Sequence, residues 1–192
     1  DGTGVEANAL VTLYDTDGST VLGTATADAT GNWSITSSVL AAGTHGVTVT
    51  QTDLAGNEGV ASAQLVVTID TGLPAAPGAP DLVTLDDSFS AVNPGGTDLD
   101  NITNVTFATA GHNPAFTGTG EIGANVILYD GTTSIGTATV DITGNWSISS
   151  ALSEGSHSLT ATQTDVAGNL SDPSTALTVT IDTAAAQLAV PD

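Results

Sequence analysis

Apolar and polar residues alternate along several short segments of the chain. In LTVTI, Leu177–Ile181, every second residue is apolar and threonine fills the positions between. Leu159–Thr162 alternates leucine and alanine with threonine in the same way. A period of two residues places the apolar side chains on one face of an extended strand. Glycine, asparagine and aspartate separate these segments, and no segment has the apolar spacing of an amphipathic helix. The pattern therefore predicts half-buried β-strands joined by tight turns.

The chain contains two copies of one sequence unit. GTATADATGNWSITSS at Gly23–Ser38 matches GTATVDITGNWSISS at Gly136–Ser150, and QTDLAGN matches QTDVAGN. The equivalent glycines Gly56 and Gly168 place the two copies roughly 110 residues apart, which is the size of an ordinary domain. About seven strands in about 100 residues indicate an antiparallel β-sandwich for each complete copy.

The repeat register predicts the domain boundaries. The first copy lacks its opening strands as presented, and three prolines stiffen the connection to the second copy. Because residues 184–192 resemble the approach to Pro80 and Asp81, we expect the chain to be a window onto a longer tandem array. The predicted division is 1–71 for an incomplete first unit, 72–80 for a proline-rich linker, 81–183 for a complete unit and 184–192 for a linker to a following repeat.

The charge of the chain restricts its partners. It has 21 acidic residues and no lysine or arginine, which gives a formal charge of −21. Phosphate binding needs basic side chains, so nucleic acid is excluded as a partner. No run of about 18 apolar residues is present, so we expect no membrane insertion. Carboxylates repel one another over about 10 Å at ordinary salt, and metal cations are the simplest groups to neutralise them. The chain has no cysteine, so no disulfide bond stabilises it.

Two motifs carry a resemblance to a known family. They are D-x-x-G-N-W-S and T-D-x-A-G-N, and each occurs in both units. With nearly the whole chain around them, they resemble the bacterial immunoglobulin-like repeats of giant surface adhesins. Those adhesins are secreted by type I systems and often carry RTX-type C-terminal regions. The resemblance implies an all-β chain of tandem immunoglobulin-like antiparallel β-sandwiches.

The resemblance also implies a function. Repeats of this family form a long, non-catalytic extender stalk on the bacterial cell surface, in which calcium at and near the domain junctions stiffens the array. Ligand binding takes place in other domains near the tip, so the distal adhesion ligand is expected outside this chain. The expected partners are neighbouring immunoglobulin-like repeats of the same chain. The whole would be an extracellular protein that supports cell adhesion or biofilm formation.

Acidic and amide side chains cluster where the junctions are expected. In an immunoglobulin-like sandwich, the loop after Thr164 lies at the same pole as Glu121, and the last strand of the first unit delivers Asp70 to the next junction. Calcium takes six to eight oxygens from carboxylates, amides and carbonyls. The alternative is structural, because aspartate and asparagine beside glycine form ordinary turns and caps. The candidate calcium ligands are Asp70, Asp81, Asp86, Asp87, Asp98, Asp100, Asn101, Glu121, Asp165 and Asn169.

Other prominent residues have structural interpretations. Trp33 and Trp146 are in phase with isoleucines two residues later, which predicts packing in the core. His45 and His157 occupy equivalent places in the two units, so we expect a structural role at a corner rather than catalysis. His112 is expected in a surface loop. The segments DITGNW and YDTDGST both predict tight hairpin turns.

The sequence contains no catalytic constellation, and we expect the chain not to be an enzyme. It lacks a cysteine nucleophile, a G-x-S-x-G motif and a glycine-rich phosphate loop with lysine. A glycosidase is the enzyme alternative. Threonine-rich strand faces keep a second possibility open, a module that binds a glycan, a protein or ice. A third is a self-assembling filament or surface-layer subunit, in which a neighbouring chain adds strands to the first unit.

Overall fold

The structure is a computed structural model that describes residues 1–87 and 101–184. The described part of the chain consists of β-strands and one short helix, α1 at Phe107–Ala110. The prediction of an all-β chain is therefore confirmed. Backbone contacts divide the chain into residues 1–71, called unit 1 here, and residues 72–192, called unit 2. No helix in the described ranges is long and apolar enough to cross a membrane.

Unit 1 is built on one antiparallel sheet. Its strands are β1 at Leu10–Tyr14, β2 at Val21–Thr26, β3 at Gly43–Thr52 and β4 at Leu65–Ile69. They lie in the order β2-β1-β3-β4. The turn in YDTDGST is confirmed as a hairpin, because it joins the paired strands β1 and β2. The Asp17 carboxylate closes that turn by accepting the backbone N–H groups of Ser19 and Thr20 at 2.8 and 2.7 Å.

Unit 2 has two sheets among its described residues. Its strands are β5 at Asp81–Leu82, β6 at Ile102–Thr103, β7 at Ala115–Thr119, β8 at Asn125–Asp130, β9 at Thr133–Thr139, β10 at Asn145–Ser149, β11 at Gly155–Thr164 and β12 at Leu177–Ile181. The smaller sheet has the order β10-β7-β5, and the larger has the order β6-β12-β11-β8-β9. Neighbouring strands are antiparallel except β12 and β6, which are parallel. Strand β8 has the sequence NVILYD.

One apolar core lies between the two sheets of unit 2. Phe116 of β7 faces it from the smaller sheet, and Leu128, Leu159 and Val179 face it from the larger sheet; all four are 0% exposed. The apolar positions of the alternating segments thus point inward, and the threonines between them are less buried. Burying one side chain of this size contributes about 1.5–3 kcal/mol. The core therefore holds the sandwich together without a disulfide bond.

Trp33 and Trp146 each lie two residues before an isoleucine, and this spacing predicts that the tryptophan side chains face the core. Both side chains lie on that inward face. Trp146 is 3% exposed, which confirms core packing in unit 2, whereas Trp33 is half-buried. The hairpin prediction for DITGNW is wrong, because this turn joins β9 of the larger sheet to β10 of the smaller sheet. The chain changes sheets at this turn. Trp146 of β10 then packs into the core from the smaller sheet, with its ring over Gly118 of β7.

Residues 72–80, the predicted linker, are bonded to the sandwich of unit 2. The three prolines in this segment are buried. The Gly78 N–H donates to the Thr119 carbonyl at 2.9 Å, and the Ala75 carbonyl accepts the side-chain amide of Gln163 at 2.7 Å. These two bonds hold the segment along the sandwich.

Strand β11 runs between the two poles of unit 2. Its last residue, Thr164, pairs with Asn125 at one end, and its first residue, Gly155, pairs with Ile181 at the other. The end of the sandwich at Thr164 is called the N-terminal pole, and the end at Gly155 is called the C-terminal pole. The strand has 10 residues, and at about 3.4 Å per residue it separates the poles by about 30 Å.

Candidate functional site

Four loops of the pattern D-x-(T/A)-G-N have the same geometry. They are residues 28–32 and 53–57 in unit 1 and residues 141–145 and 165–169 in unit 2, and are called the Asx loops. In each loop the aspartate N–H donates to the asparagine carbonyl, and the glycine N–H donates to the aspartate carbonyl. The glycines have φ between 81° and 97°, a conformation that favours glycine. Each repeated motif therefore forms a closed turn.

The carboxylate of an Asx loop is engaged inside its own loop. Asp165 Oδ1 accepts the N–H groups of Ala167 at 2.9 Å and Asn169 at 2.8 Å, and Oδ2 accepts the Asn169 side-chain amide at 2.8 Å. The bond from the Asn169 side chain is the largest cause that lowers the pKa of Asp165. The Thr30 hydroxyl acts likewise on Asp28, whose pKa falls to about 2. The charged carboxylate thus stabilises the turn.

The predicted calcium ligands of unit 2 separate into groups at opposite poles. Glu121, Asp165 and Asn169 lie at the N-terminal pole, and Asp86, Asp87 and Asn101 lie at the C-terminal pole. The ligands of one calcium ion lie within about 2.3–2.6 Å of it, whereas the poles are about 30 Å apart. The two groups therefore cannot share one ion within unit 2.

Asp81 and Asp70 lie outside these two groups. Asp81 is exposed on β5, opposite Thr117 and between the poles. Asp70 belongs to unit 1, where it directly follows β4. Asp98 and Asp100 lie outside the described residues.

Two consecutive carboxylates are buried at the C-terminal pole. Asp86 is 5% exposed and Asp87 is 9% exposed. Asp86 Oδ2 accepts the Ala115 N–H at 2.7 Å, the Thr103 hydroxyl donates to the Asp86 carbonyl, and His112 Nδ1 lies 3.7 Å from Asp86 Oδ1. Burying a charge is costly unless it is paired or coordinates a metal. Asp86 meets this requirement in part through the Ala115 N–H and the neighbouring His112 ring.

The described residues meet the requirements of calcium in part. Asp86 and Asp87 supply the hard oxygen donors that calcium prefers, and carbonyl and amide oxygens can complete such a site. Within residues 1–87 and 101–184, however, no three histidine, cysteine, aspartate or glutamate side chains are placed to share one metal ion. Calcium binding therefore stays a prediction, with these two aspartates as the described residues that fit it best.

Gln163 is a positioning residue that the sequence patterns do not single out. It is 2% exposed. Its Oε1 accepts the Glu121 N–H at 2.8 Å, and its Nε2 donates to the Ala75 carbonyl. The equivalent Gln51 of unit 1 accepts the Glu6 N–H at 2.9 Å. The repeated QTD triplet is the signal in the sequence, but glutamine there has no obvious chemistry until its partners are known.

His157 of unit 2 lies between two acceptors. Its Nδ1 is 2.7 Å from Asp130 Oδ2, and its Nε2 is 2.9 Å from the Ser153 carbonyl oxygen. Burial by itself lowers the pKa of His157, but the bonds to Ser153 and Asp130 outweigh it, so the pKa lies above its ordinary value. The histidine therefore joins the turn after β8 to the loop before β11.

His45 of unit 1 has the same surroundings. Its Nδ1 is 2.9 Å from Asp15 Oδ1, and its Nε2 is 3.0 Å from the Ala41 carbonyl oxygen. The bond to Asp15, followed by the bond to Ala41, raises the pKa of His45. The structural role predicted for the repeated histidines is confirmed, and the two aspartates are partners that the sequence did not reveal.

A groove recurs on the smaller sheet of unit 2 and on unit 1. In unit 2 it has a volume of about 640 Å³ and is lined by Asp81, Thr117, Asn145 and Trp146, among others. Its counterpart in unit 1, about 630 Å³, includes Trp33. Sugar recognition commonly uses an exposed aromatic face, but Trp146 is 3% exposed because its ring packs into the core. The groove therefore offers no stacking surface for a glycan in unit 2.

Comparisons with known proteins place the chain in a family. The bacterial Ig-like domain matches residues 2–71 and again residues 81–183. No curated protein sequence matches the chain significantly.

Several solved structures are similar to the chain. The BSP domain of a biofilm-associated protein is 21% identical with a TM-score of 0.37, over 94% of this chain and 26% of that one. Fibronectin(III)-like modules of Clostridium thermocellum CbhA are 14% identical with a TM-score of 0.47, over 94% and 81%. Bacteroides ovatus SGBP-B, of a mixed-linkage glucan utilization locus and bound to a mixed-linkage heptasaccharide, is 15% identical with a TM-score of 0.25, over 90% and 37%. The family match spans most of the chain, which therefore belongs to the bacterial Ig-like domains and contains two of them in tandem.

Proposed function

We propose that the chain is a non-catalytic extender segment of a large bacterial surface adhesin. The observation that carries this proposal is that one unit is repeated and that its loops are closed by hydrogen bonds between their own residues. The Asx loops and the histidine–aspartate pairs recur at equivalent places and satisfy their polar groups within each unit. A catalytic site is not normally duplicated in every repeat, whereas a spacer needs identical, independent modules.

The setting of the extender is part of the same proposal. The parent protein is an RTX-type adhesin that is secreted by a type I system and supports cell adhesion or biofilm formation from the cell surface. The partners of the segment are neighbouring immunoglobulin-like repeats of the same chain, and the distal ligand binds elsewhere in the parent protein. Membership of the bacterial Ig-like family supports this setting.

Calcium at the junctions between repeats completes the proposal. The buried Asp86 and Asp87 at the C-terminal pole are the described residues that would hold it. When bound, calcium supplies positive charge that cancels carboxylate repulsion. Extracellular modules bind calcium with dissociation constants of about 10⁻⁴ to 10⁻³ M. The junction would therefore respond to external calcium, and the array would become stiffer as the sites fill.

Small-angle X-ray scattering of the chain tests the extender role. We expect an elongated particle in calcium at about 10 mM, well above the expected dissociation constants, and a broader distribution of shapes after EGTA is added. Magnesium at the same concentration is the control and should not restore the narrow distribution. Identical scattering in calcium and EGTA would remove calcium from the connection between the two units and leave the C-terminal pole as the proposed site. A compact, globular particle in both would contradict the extender role itself.

A further inference from the structure

The two histidine–aspartate pairs have a protonation requirement. An ionised carboxylate and a backbone carbonyl can only accept hydrogen bonds. In unit 2, His157 directs Nδ1 at the Asp130 carboxylate and Nε2 at the Ser153 carbonyl, at 2.7 and 2.9 Å. Both ring nitrogens must therefore carry a hydrogen for both bonds to form. Only the imidazolium ring carries both.

The same requirement holds in unit 1. His45 directs Nδ1 at the Asp15 carboxylate and Nε2 at the Ala41 carbonyl. The histidine side chains are 14% exposed in unit 1 and 11% exposed in unit 2. The bond to the aspartate is partly buried in both units, whereas the bond to the carbonyl is exposed. Two independent units thus place the ring between the same pair of acceptors.

In unit 2, Asp130 is the charged side chain that faces the ring of His157. Glu154 precedes β11, but its carboxylate accepts the Thr183 hydroxyl at 2.6 Å. Val179, opposite the histidine on β12, is uncharged. The charge of the ring is therefore balanced by Asp130.

In unit 1, Asp15 has the corresponding place beside His45. Asp17 lies in the same turn, but its carboxylate accepts the Thr20 hydroxyl at 2.7 Å. Val67, opposite the histidine on β4, is uncharged. Each unit therefore pairs one imidazolium with one carboxylate in a chain without lysine or arginine.

We propose that this arrangement is a pH-sensitive latch in every repeat, closed by the imidazolium ring and loosened when the ring loses a proton. The histidine latch consists of His157, Asp130 and Ser153 in unit 2 and of the three equivalent residues in unit 1. A neutral ring has one nitrogen without hydrogen, which then faces another acceptor. One of the two bonds is lost, and the ring is then bonded either to the aspartate or to the loop carbonyl but no longer joins the two.

The direction of the pH dependence follows from the raised pKa of both histidines. A group whose pKa is higher in the folded chain stabilises the fold fully below its unfolded value, about 6.5 for histidine. That stabilisation is lost as pH rises through the folded-state value. Each unit of upward shift changes the folding equilibrium constant about tenfold. The repeats therefore loosen as pH rises above the ordinary histidine value.

An NMR titration of the whole chain tests the latch directly. We expect the ring ¹⁵N signals of His45 and His157 to show two protonated nitrogens at about pH 6.5 and to titrate above the ordinary histidine value. A neutral ring at that pH in either residue would overturn the proposal, as would titration at or below the ordinary value.

Thermal melting of variants provides a second measurement. We expect the melting temperature of the wild type to fall between about pH 6 and pH 9, where histidine titrates. The combined His45→Gln and His157→Gln variant should lose most of this fall. The control His112→Gln removes a histidine outside both latches and should keep it. The proposal is overturned if the double variant keeps the wild-type fall; if that variant does not fold, the titration of the wild type decides.

Discussion

Gln163 and Ala75 lie 88 residues apart in the sequence, and a hydrogen bond of 2.7 Å joins the Gln163 side-chain amide to the Ala75 carbonyl. The other end of the same amide accepts the Glu121 N–H at 2.8 Å. One buried side chain therefore ties the segment 72–80 and the loop before β8 to the end of β11. The glutamine therefore fixes where residues 72–80 lie along the sandwich of unit 2.

Replacing this glutamine should free the segment. We expect Gln163→Leu to lower the free energy of unfolding of unit 2 by about 1–3 kcal/mol, because buried polar partners lose their bonds. Hydrogen exchange in residues 72–80 should accelerate at the same time. Gln51→Leu, at the equivalent place in unit 1, is the matched control and should leave exchange in 72–80 unchanged. Unchanged exchange in Gln163→Leu would show that the bond does not hold the segment.

The Asx loops should make the chain sensitive to acid. The pKa values of Asp28, Asp53, Asp141 and Asp165 are all lowered by bonds within their loops, that of Asp28 to about 2. A lowered pKa contributes stability that is present above the unfolded value, about 3.9, and is lost as pH falls through the folded value. We therefore expect the melting temperature to fall steeply between about pH 4 and pH 2.

Asparagine substitution tests the contribution of these carboxylates. Changing all four loop aspartates to asparagine should flatten the acid limb of a plot of melting temperature against pH, because the replaced groups no longer titrate. Asp81→Asn, which alters a carboxylate outside the loops, is the control and should keep the limb. If the melting temperature of the fourfold variant fell at low pH as steeply as that of the wild type, other titrating groups would cause the acid sensitivity.

Gly118 should be required for the packing of Trp146. A Cβ atom at Gly118 would lie 2.4 Å from Trp146 Cζ2, which is closer than atoms pack. We expect Gly118→Ala to destabilise unit 2 by about 1–3 kcal/mol, the usual cost of an overpacked core. Urea denaturation followed by tryptophan fluorescence measures it.

Gly131 provides the comparison for that substitution. It has φ of 57°, and no atom lies within 4 Å of a Cβ built there. Asparagine tolerates this conformation, so Gly131→Asn should unfold at nearly the wild-type urea concentration. Equal midpoints for the two variants would mean that the core adapts to the extra methyl group.

The sequence predicts the parts of the fold that depend on local periodicity. The alternation in LTVTI arises because one face of the strand is buried, so β12 could be located without a structure. The repeated turns are equally local, since aspartate, glycine and asparagine bond within five residues. The phase of Trp146 with Ile148 likewise reports one buried face.

The parts that depend on distant partners could not be predicted in this way. The turn before Trp146 looks like a hairpin, and only the pairing of β10 with β7 shows that the chain changes sheets there. Residue spacing along the chain also does not reveal that Glu121 and Asp86 belong to opposite poles. Gln163 is an ordinary strand residue until Ala75 is placed beside it.

Melting of the chain in calcium, in EGTA and in magnesium tests the proposed calcium-stiffened extender most directly. At a hundredfold excess over the dissociation constant, one site adds about 2.7 kcal/mol, which corresponds to roughly 10–20 °C for a domain of this size. We predict a rise of this order in calcium only, and its loss in the combined Asp86→Asn and Asp87→Asn variant. Equal melting temperatures of the wild type in all three conditions would contradict the account, and the buried carboxylates would then need another explanation.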